Sequence, residues 1–152
     1  MSDDSLVAEG AVRGAGELLT AARARIQRLE PRAAWEASQE GALIVDIRSQ
    51  DDRRRDGVIP GALHVPRTVL EWRVDPTCKW HNPYLGGRGR RLVLLCDHGF
   101  SSSLAAASLV DLGCLQAGDV IGGFVGWRED GLPVRPAGEP VEGVLPGMGP
   151  PD

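Results

Sequence analysis

An α/β fold with a parallel sheet wrapped by helices is predicted by three features of this 152-residue chain. Two short runs, Ala42-Leu43-Ile44-Val45-Asp46-Ile47 and Leu92-Val93-Leu94-Leu95-Cys96, are almost continuously apolar, as strands covered on both faces must be. Segments with helical spacing fall between and after them, which is how parallel neighbours are connected. Glycine and proline punctuate nearly every junction, at Gly41, Gly57, Pro60, Gly61, Gly113, Gly122 and Gly123.

In chain order, Leu18, Leu19, Ala22, Ile26 and Leu29 share one helical face, so residues 10–29 are expected as an amphipathic helix. It could pack in cis, pair with another copy or stand as an arm; packing in cis is the default. Pro31 suits the first turn of a second helix through Trp35 and Ala37, ended by Gly41. The run 42–47 is the next strand, and Gln50 to Arg55 has helical character. His64-Val65 reads as a short strand, and Pro66 opens a one- or two-turn helix that Pro76 stops. Residues 75–91 mix proline, glycine and aromatics without period and are expected as a long surface loop. The strand 92–96 and the helix from Ser101 to about Leu112 follow. Asp119-Val120-Ile121 is expected as a last strand and Phe124 to Glu129 as a closing helix. From Pro133 onward, prolines and glycines leave little apolar content, so a tail is expected.

Composition narrows the classes. Hydrophobic content of 42% and charged content of 25% are those of a soluble globular protein, and no apolar run reaches the ~20 residues of a membrane span. The acidic start Met1-Ser2-Asp3-Asp4 is unlike an export signal, so a cytoplasmic location is expected. A net charge of −4 with interspersed signs argues against nucleic-acid binding, and Arg53-Arg54-Arg55 after two aspartates reads as a solvated helix face. Three cysteines, Cys78, Cys96 and Cys114, with no C-x-x-C pair, argue against a disulfide framework or a zinc site. Trp35, Trp72 and Trp127 read as packing residues, and Cys114 as buried.

Cys96 is the chemical centre. It ends a buried strand and enters the loop Asp97-His98-Gly99-Phe100-Ser101-Ser102-Ser103, which becomes a helix. Unsatisfied amides and the positive end of the helix dipole at such a mouth favour an anionic sulfur. A buried structural cysteine is the alternative, but packing alone requires neither Gly99 nor three successive serines. His98 could protonate a leaving group or tune the thiolate, or be an exposed loop residue. Asp46 and Arg48 are expected to form a supporting ion pair.

Four segments carry a resemblance to the rhodanese-like family over roughly residues 28–136. They are Leu43-Ile44-Val45-Asp46-Ile47-Arg48; Gly57-Val58-Ile59-Pro60-Gly61-Ala62-Leu63-His64-Val65-Pro66; Cys96 with its loop; and Gly122-Gly123-Phe124-Val125-Gly126-Trp127-Arg128-Glu129-Asp130-Gly131-Leu132-Pro133-Val134. The resemblance implies a five-stranded parallel sheet with helices on both faces and the cysteine loop at its carboxyl edge. It divides the chain into an N-terminal helical extension (1–27), a rhodanese-like domain (28–136) and a Pro/Gly-rich tail (137–152). It also implies a sulfurtransferase whose Cys96 takes a sulfane sulfur from a small-molecule donor and passes it to a thiol, a cyanide-like acceptor or a protein. No metal or cofactor is needed, because loop amides stabilise the persulfide.

The loop departs from the common Cys-x-x-Gly-x-Arg-Ser form, since Ser101 stands where arginine is usual. A serine cannot clamp an oxyanion as a guanidinium does, and Asp97 adds negative charge, so thiosulfate is expected to be a poorer donor than a persulfide. Arg67 or Arg73 is a candidate source of replacement charge. The competing readings are a catalytically weak binding or redox-sensing module and, more distantly, a cysteine-dependent phosphatase.

Overall fold

The computed structural model describes residues 14–152. Its core is a five-stranded, all-parallel sheet ordered β1-β5-β4-β2-β3, with β1 Gln27–Leu29, β2 Leu43–Asp46, β3 Leu63–His64, β4 Leu92–Leu95 and β5 Gly118–Val120. Among the described residues six α-helices surround it: α1 Ala15–Arg23, α2 Pro31–Gln39, α3 Gln50–Asp56, α4 Leu70–Val74, α5 Ser101–Asp111 and α6 Gly123–Glu129.

Alternation along the strands sorts the core into two halves. Leu43, Val45, Ile47, Leu92, Leu94 and Cys96 point to one face, against Leu70 of α4 and Ala105, Ala106 and Leu109 of α5. Ile44, Val93 and Leu95 point to the other, against Ala34 of α2 and Phe124 and Trp127 of α6. Trp127 is fully buried, donates from its indole N–H to the Pro133 carbonyl at 2.9 Å and meets Trp35 edge-on, with ring centroids 5.9 Å apart. Cys96 therefore emerges on the α4/α5 face as β4 ends, where a loop can turn it toward the start of α5.

Several expectations change. The leading helix ends at Arg23, and residues 27–29 are an edge strand paired with β5 instead of a continuation of the helix. Gly118 permits this pairing, since a side chain there would run into the Gln27 carbonyl. The part of the expected helix at residues 10–13 lies outside the described residues. Trp72 is 58% exposed and does not pack. Arg53 is buried, not solvated: its guanidinium meets Asp152 Oδ1 at 2.6 Å and Gln50 Oε1 at 2.7 Å.

The Pro/Gly-rich segment has no regular secondary structure but lies along the domain. Val58 and Arg135 exchange backbone hydrogen bonds of 2.8 and 2.9 Å. Arg73 Nε donates to the Pro146 carbonyl at 2.8 Å, and Asn82 Nδ2 donates to the carbonyls of Gly147 and Gly149. At Asp152, the amide donates to the Ala62 carbonyl and the carbonyl accepts from Gly61 N–H. Backbone pairing at its two ends and side-chain donors between them hold this segment.

Candidate active site at Cys96

The Cys96 loop is built by three local devices. Gly99 adopts φ +83°, and a side chain on it would come within 2.8 Å of Gly122 N and 3.1 Å of the Val120 carbonyl oxygen, so only glycine lets the loop fold this close to β5. This turn aims the Gly99 amide back at the sulfur, at 3.2 Å. The first turn of α5 adds the Ser102 amide at 3.4 Å, and Ser102 Oγ lies 3.2 Å from Sγ. From the far side, Gly123 (φ +60°) brings the start of α6 against the loop. Phe124 N–H donates to the Cys96 carbonyl at 2.8 Å, and Val125 N–H to the Asp97 carbonyl at 3.1 Å. The cysteine's carbonyl is thus tied down while its sulfur faces donors.

Electrostatics follow from that geometry. Burial pushes the Cys96 thiol up, but hydrogen bonds from the Ser102 and Ser101 side chains and the Ser102 and Gly99 amides outweigh it, leaving the thiol below its ordinary value. Asp97 is pushed up by burial and by repulsion from Asp52 and Asp56 of α3, with Arg48 and His98 opposing. Cys114, without such donors, is pushed up by burial. Cys96 is 6% exposed, while His98, Phe100 and Ser101 form the exposed rim above it.

The remaining candidates separate by position. Asp46 and Arg48 are both buried and bidentate, with Arg48 Nε to Oδ1 at 3.0 Å and a terminal nitrogen to Oδ2 at 2.8 Å. Arg48 also donates to the Gly57 carbonyl at 2.8 Å and lies 4.0 Å from the Phe124 ring centroid. This pair therefore braces the end of β2 against the helix that holds the Cys96 carbonyl. Arg67 forms an i,i+4 pair with Glu71 at 2.9 Å, and Glu71 in turn accepts from Ser108 of α5. Arg73 is buried and spent on the Pro146 and Trp80 carbonyls, away from the sulfur's donors.

Three residues not singled out from the sequence reach the loop from behind. Arg23 of α1 donates to the Gly99 carbonyl at 2.8 Å and to Ser103 Oγ at 3.1 Å, with its guanidinium 5.7 Å from the Phe100 ring centroid. Arg28 of β1 donates to the same carbonyl at 3.0 Å and pairs with Asp119 of β5 at 2.9 Å. Asp119, fully buried, accepts from Ser102 and Ser103. A carboxylate in the middle of a buried strand was the available signal, because such a charge requires partners. Among the described residues no group of three or more His, Cys, Asp or Glu is gathered to hold a metal ion, and no helix is long and apolar enough to cross a membrane.

Known proteins resemble this chain in sequence and in fold. The family model for the rhodanese-like domain matches residues 30–130. The thiosulfate sulfurtransferase GlpE of Haemophilus influenzae (strain PittEE) is 33% identical over 113 residues, covering 73% of this chain and 96% of that protein. Its counterpart in Actinobacillus succinogenes is 32% identical over 110 residues, 72% of this chain and 90% of the relative. A structure from Rhodopseudomonas palustris, of unknown function and described as a possible tyrosine phosphatase, superposes with a TM-score of 0.75 at 31% identity, covering 82% of this chain and 96% of that one. The polysulfide-sulfur transferase homodimer of Wolinella succinogenes shares the fold, with a TM-score of 0.61 at 23% identity over 90% of this chain and 91% of that one.

Proposed function

This chain belongs to the rhodanese-like family, a sulfurtransferase family, and we propose that its Cys96 carries a sulfane sulfur as a persulfide between a donor and a thiophilic acceptor. The observation that carries the reading is the convergence of the Gly99 and Ser102 amides on Sγ at 3.2 and 3.4 Å. In the first half-reaction the Cys96 thiolate attacks the outer sulfur of the donor. With thiosulfate the S–S bond breaks, its electron pair leaves with sulfite, and Cys96-S-S⁻ remains. In the second, an acceptor thiolate attacks the outer sulfur, forming its own persulfide and returning the Cys96 thiolate; cyanide would give thiocyanate. Main-chain dipoles fixed before the reaction stabilise the anion in both states.

The name of the relatives supports thiosulfate as a donor. The rim of this loop favours a less charged one. Asp52, Asp56 and Asp97 lie together beside it, and neither arginine nor lysine occurs among the seven residues after Cys96. A low-molecular-weight persulfide needs no bidentate clamp. Intact-mass spectrometry after exposure to thiosulfate, and separately to glutathione persulfide, tests both levels. The expected result is one added sulfur atom on the wild type, more completely with the persulfide, and none on Cys96→Ser. No gain with either donor on a folded protein would overturn the reading and favour a binding or redox-sensing module.

A phosphatase reading is suggested by the Rhodopseudomonas palustris structure, described as a possible tyrosine phosphatase. Phosphoryl transfer from such a loop leans on a cation that holds the equatorial oxygens. Here Arg23 and Arg28 grip the Gly99 carbonyl from behind the loop. Turnover of p-nitrophenyl phosphate, lost in Cys96→Ser, would revive it.

A further inference from the structure

Ser102 has one hydroxyl hydrogen and two groups that want it. Its Oγ lies 2.7 Å from Asp119 Oδ2 and 3.2 Å from Cys96 Sγ. While Cys96 is a thiol, S–H can donate to Ser102 Oγ and Ser102 O–H to Asp119, a chain running away from the sulfur. When Cys96 is a thiolate, the same hydrogen is better placed on sulfur, and Asp119 must release it. Asp119 can do so because it keeps two other donors, Ser103 Oγ at 2.8 Å and Arg28 Nε at 2.9 Å.

We propose that Asp119 is a positioning residue for the reaction of Cys96: by competing for the Ser102 hydroxyl hydrogen it holds the free enzyme's sulfur back from full ionisation. This deepens the persulfide reading and rests on it for its purpose, but not for its test. On ionisation the thiol proton leaves to solvent, Ser102 O–H swings from the carboxylate to the sulfur, and the carboxylate stays paired with Arg28. Asp119 does not act as the base: its carboxylate touches Ser102, Ser103 and Arg28, not the sulfur.

The charged groups around this chain are few enough to name. The loop itself contributes Asp97 and His98; α1 contributes Arg23, β1 Arg28 and β5 Asp119. The end of β2 contributes Arg48, α3 Asp52 and Asp56, and the segment after β3 the Arg67–Glu71 pair that touches α5 through Ser108. Of these, Asp119 alone shares a hydroxyl with Cys96 through hydrogen bonds on both sides. Arg28 is its counter-charge, so the two should act on the sulfur with opposite sign.

The test follows thiolate absorbance of Cys96 against pH, with Cys96→Ser as the blank, together with its alkylation by iodoacetamide. Asp119→Asn should lower the ionisation midpoint by about one pH unit, because a nearby like charge goes and the Ser102 hydroxyl is freed. Well below the midpoint, alkylation should rise about threefold: tenfold more thiolate, offset by its lower intrinsic nucleophilicity. In a Ser102→Ala background less than half of the shift should remain. Arg28→Gln, at a side chain only 19% exposed but at the sheet edge, should move the midpoint upward and serves if the Asp119 variant does not fold. An unchanged or raised midpoint in folded Asp119→Asn, its full shift persisting without the Ser102 hydroxyl, or a lowered midpoint in Arg28→Gln would overturn the proposal. No sulfur donor enters the experiment, so a protein that never accepts sulfur would still give the expected midpoints.

Discussion

Replacing Gly123 by alanine should damage the site more than its size suggests. At φ +60° an L-residue is strained by about 1–2 kcal/mol. The new methyl would also stand 2.6 Å from the carbonyl carbon and oxygen of Asp97, and nearer still to the Cys96 carbonyl oxygen. Backbone cannot give way there without breaking the Phe124 N–H to Cys96 and Val125 N–H to Asp97 hydrogen bonds, each worth about 1 kcal/mol. Together these predict a loss of roughly 3–4 kcal/mol in folding stability. Gly131 is the matched control. Its φ is +70°, but nothing lies within 4 Å of the position a side chain would take, so alanine there should cost only about 1–2 kcal/mol. Urea unfolding of both variants gives the difference, and alkylation of Cys96 should slow in Gly123→Ala alone. Equal losses in the two variants would refute the idea that the approach of α6 holds the sulfur's loop in place.

Other perturbations address the supports. Arg48→Met leaves the buried Asp46 carboxylate with the residue 48 amide at 3.1 Å and, as its nearest remaining cation, Arg53 at 3.6 Å, so a loss of about 3 kcal/mol in urea unfolding is expected; a loss under about 1 would contradict the strut. His64 should make stability fall on acidification. Its Nε2–H donates to the Arg48 carbonyl at 2.7 Å, which leaves Nδ1 facing the Arg53 guanidinium at 3.3 Å. Burial first and Arg53 next hold its pKa below the ordinary value, although the Arg48 carbonyl, Asp46 and Asp152 pull the other way. The unfolded state therefore binds more protons, and stability present above about pH 6.5 is lost as pH falls toward and through the lower folded value. Urea midpoints between pH 7.5 and 5 should show a decline that is smaller in His64→Gln; parallel curves would show that His64 has no part in it.

The fold was legible where one interaction dominates. Leu43 to Ile47 and Leu92 to Cys96 read as strands covered on both faces, and both are; the side on which Cys96 emerges, shared with Leu92, Leu94 and α5, came only with the structure. The loop and the Gly122-Gly123 pair were legible as punctuation, and the contacts explain them: each glycine sits where a side chain would meet backbone or a helix start. Residues 27–29 were not legible, because Ile26 and Leu29 continue a helical spacing from Leu18 that the chain abandons for pairing with β5. There Arg28 pairs with Asp119, 91 residues away, a partner that local periodicity cannot see. The same blindness explains the missing charge. Arg67 and Arg73 stood in the right segment but are engaged by Glu71 and by the Pro146 and Trp80 carbonyls. The cations that do reach the loop, Arg23 and Arg28, precede the residues matched by the family model.

All of the proposed chemistry depends on main-chain and hydroxyl donors making Cys96 a favourable place for an anion. Alkylation of the wild-type protein across pH 5–10, read out peptide by peptide, compares Cys96 with Cys114 in one sample. Cys96 should react with a midpoint below the ordinary thiol value, and Cys114, which burial pushes up, with one above it. A Cys96 midpoint equal to or higher than that of Cys114 would contradict the proposal at its root.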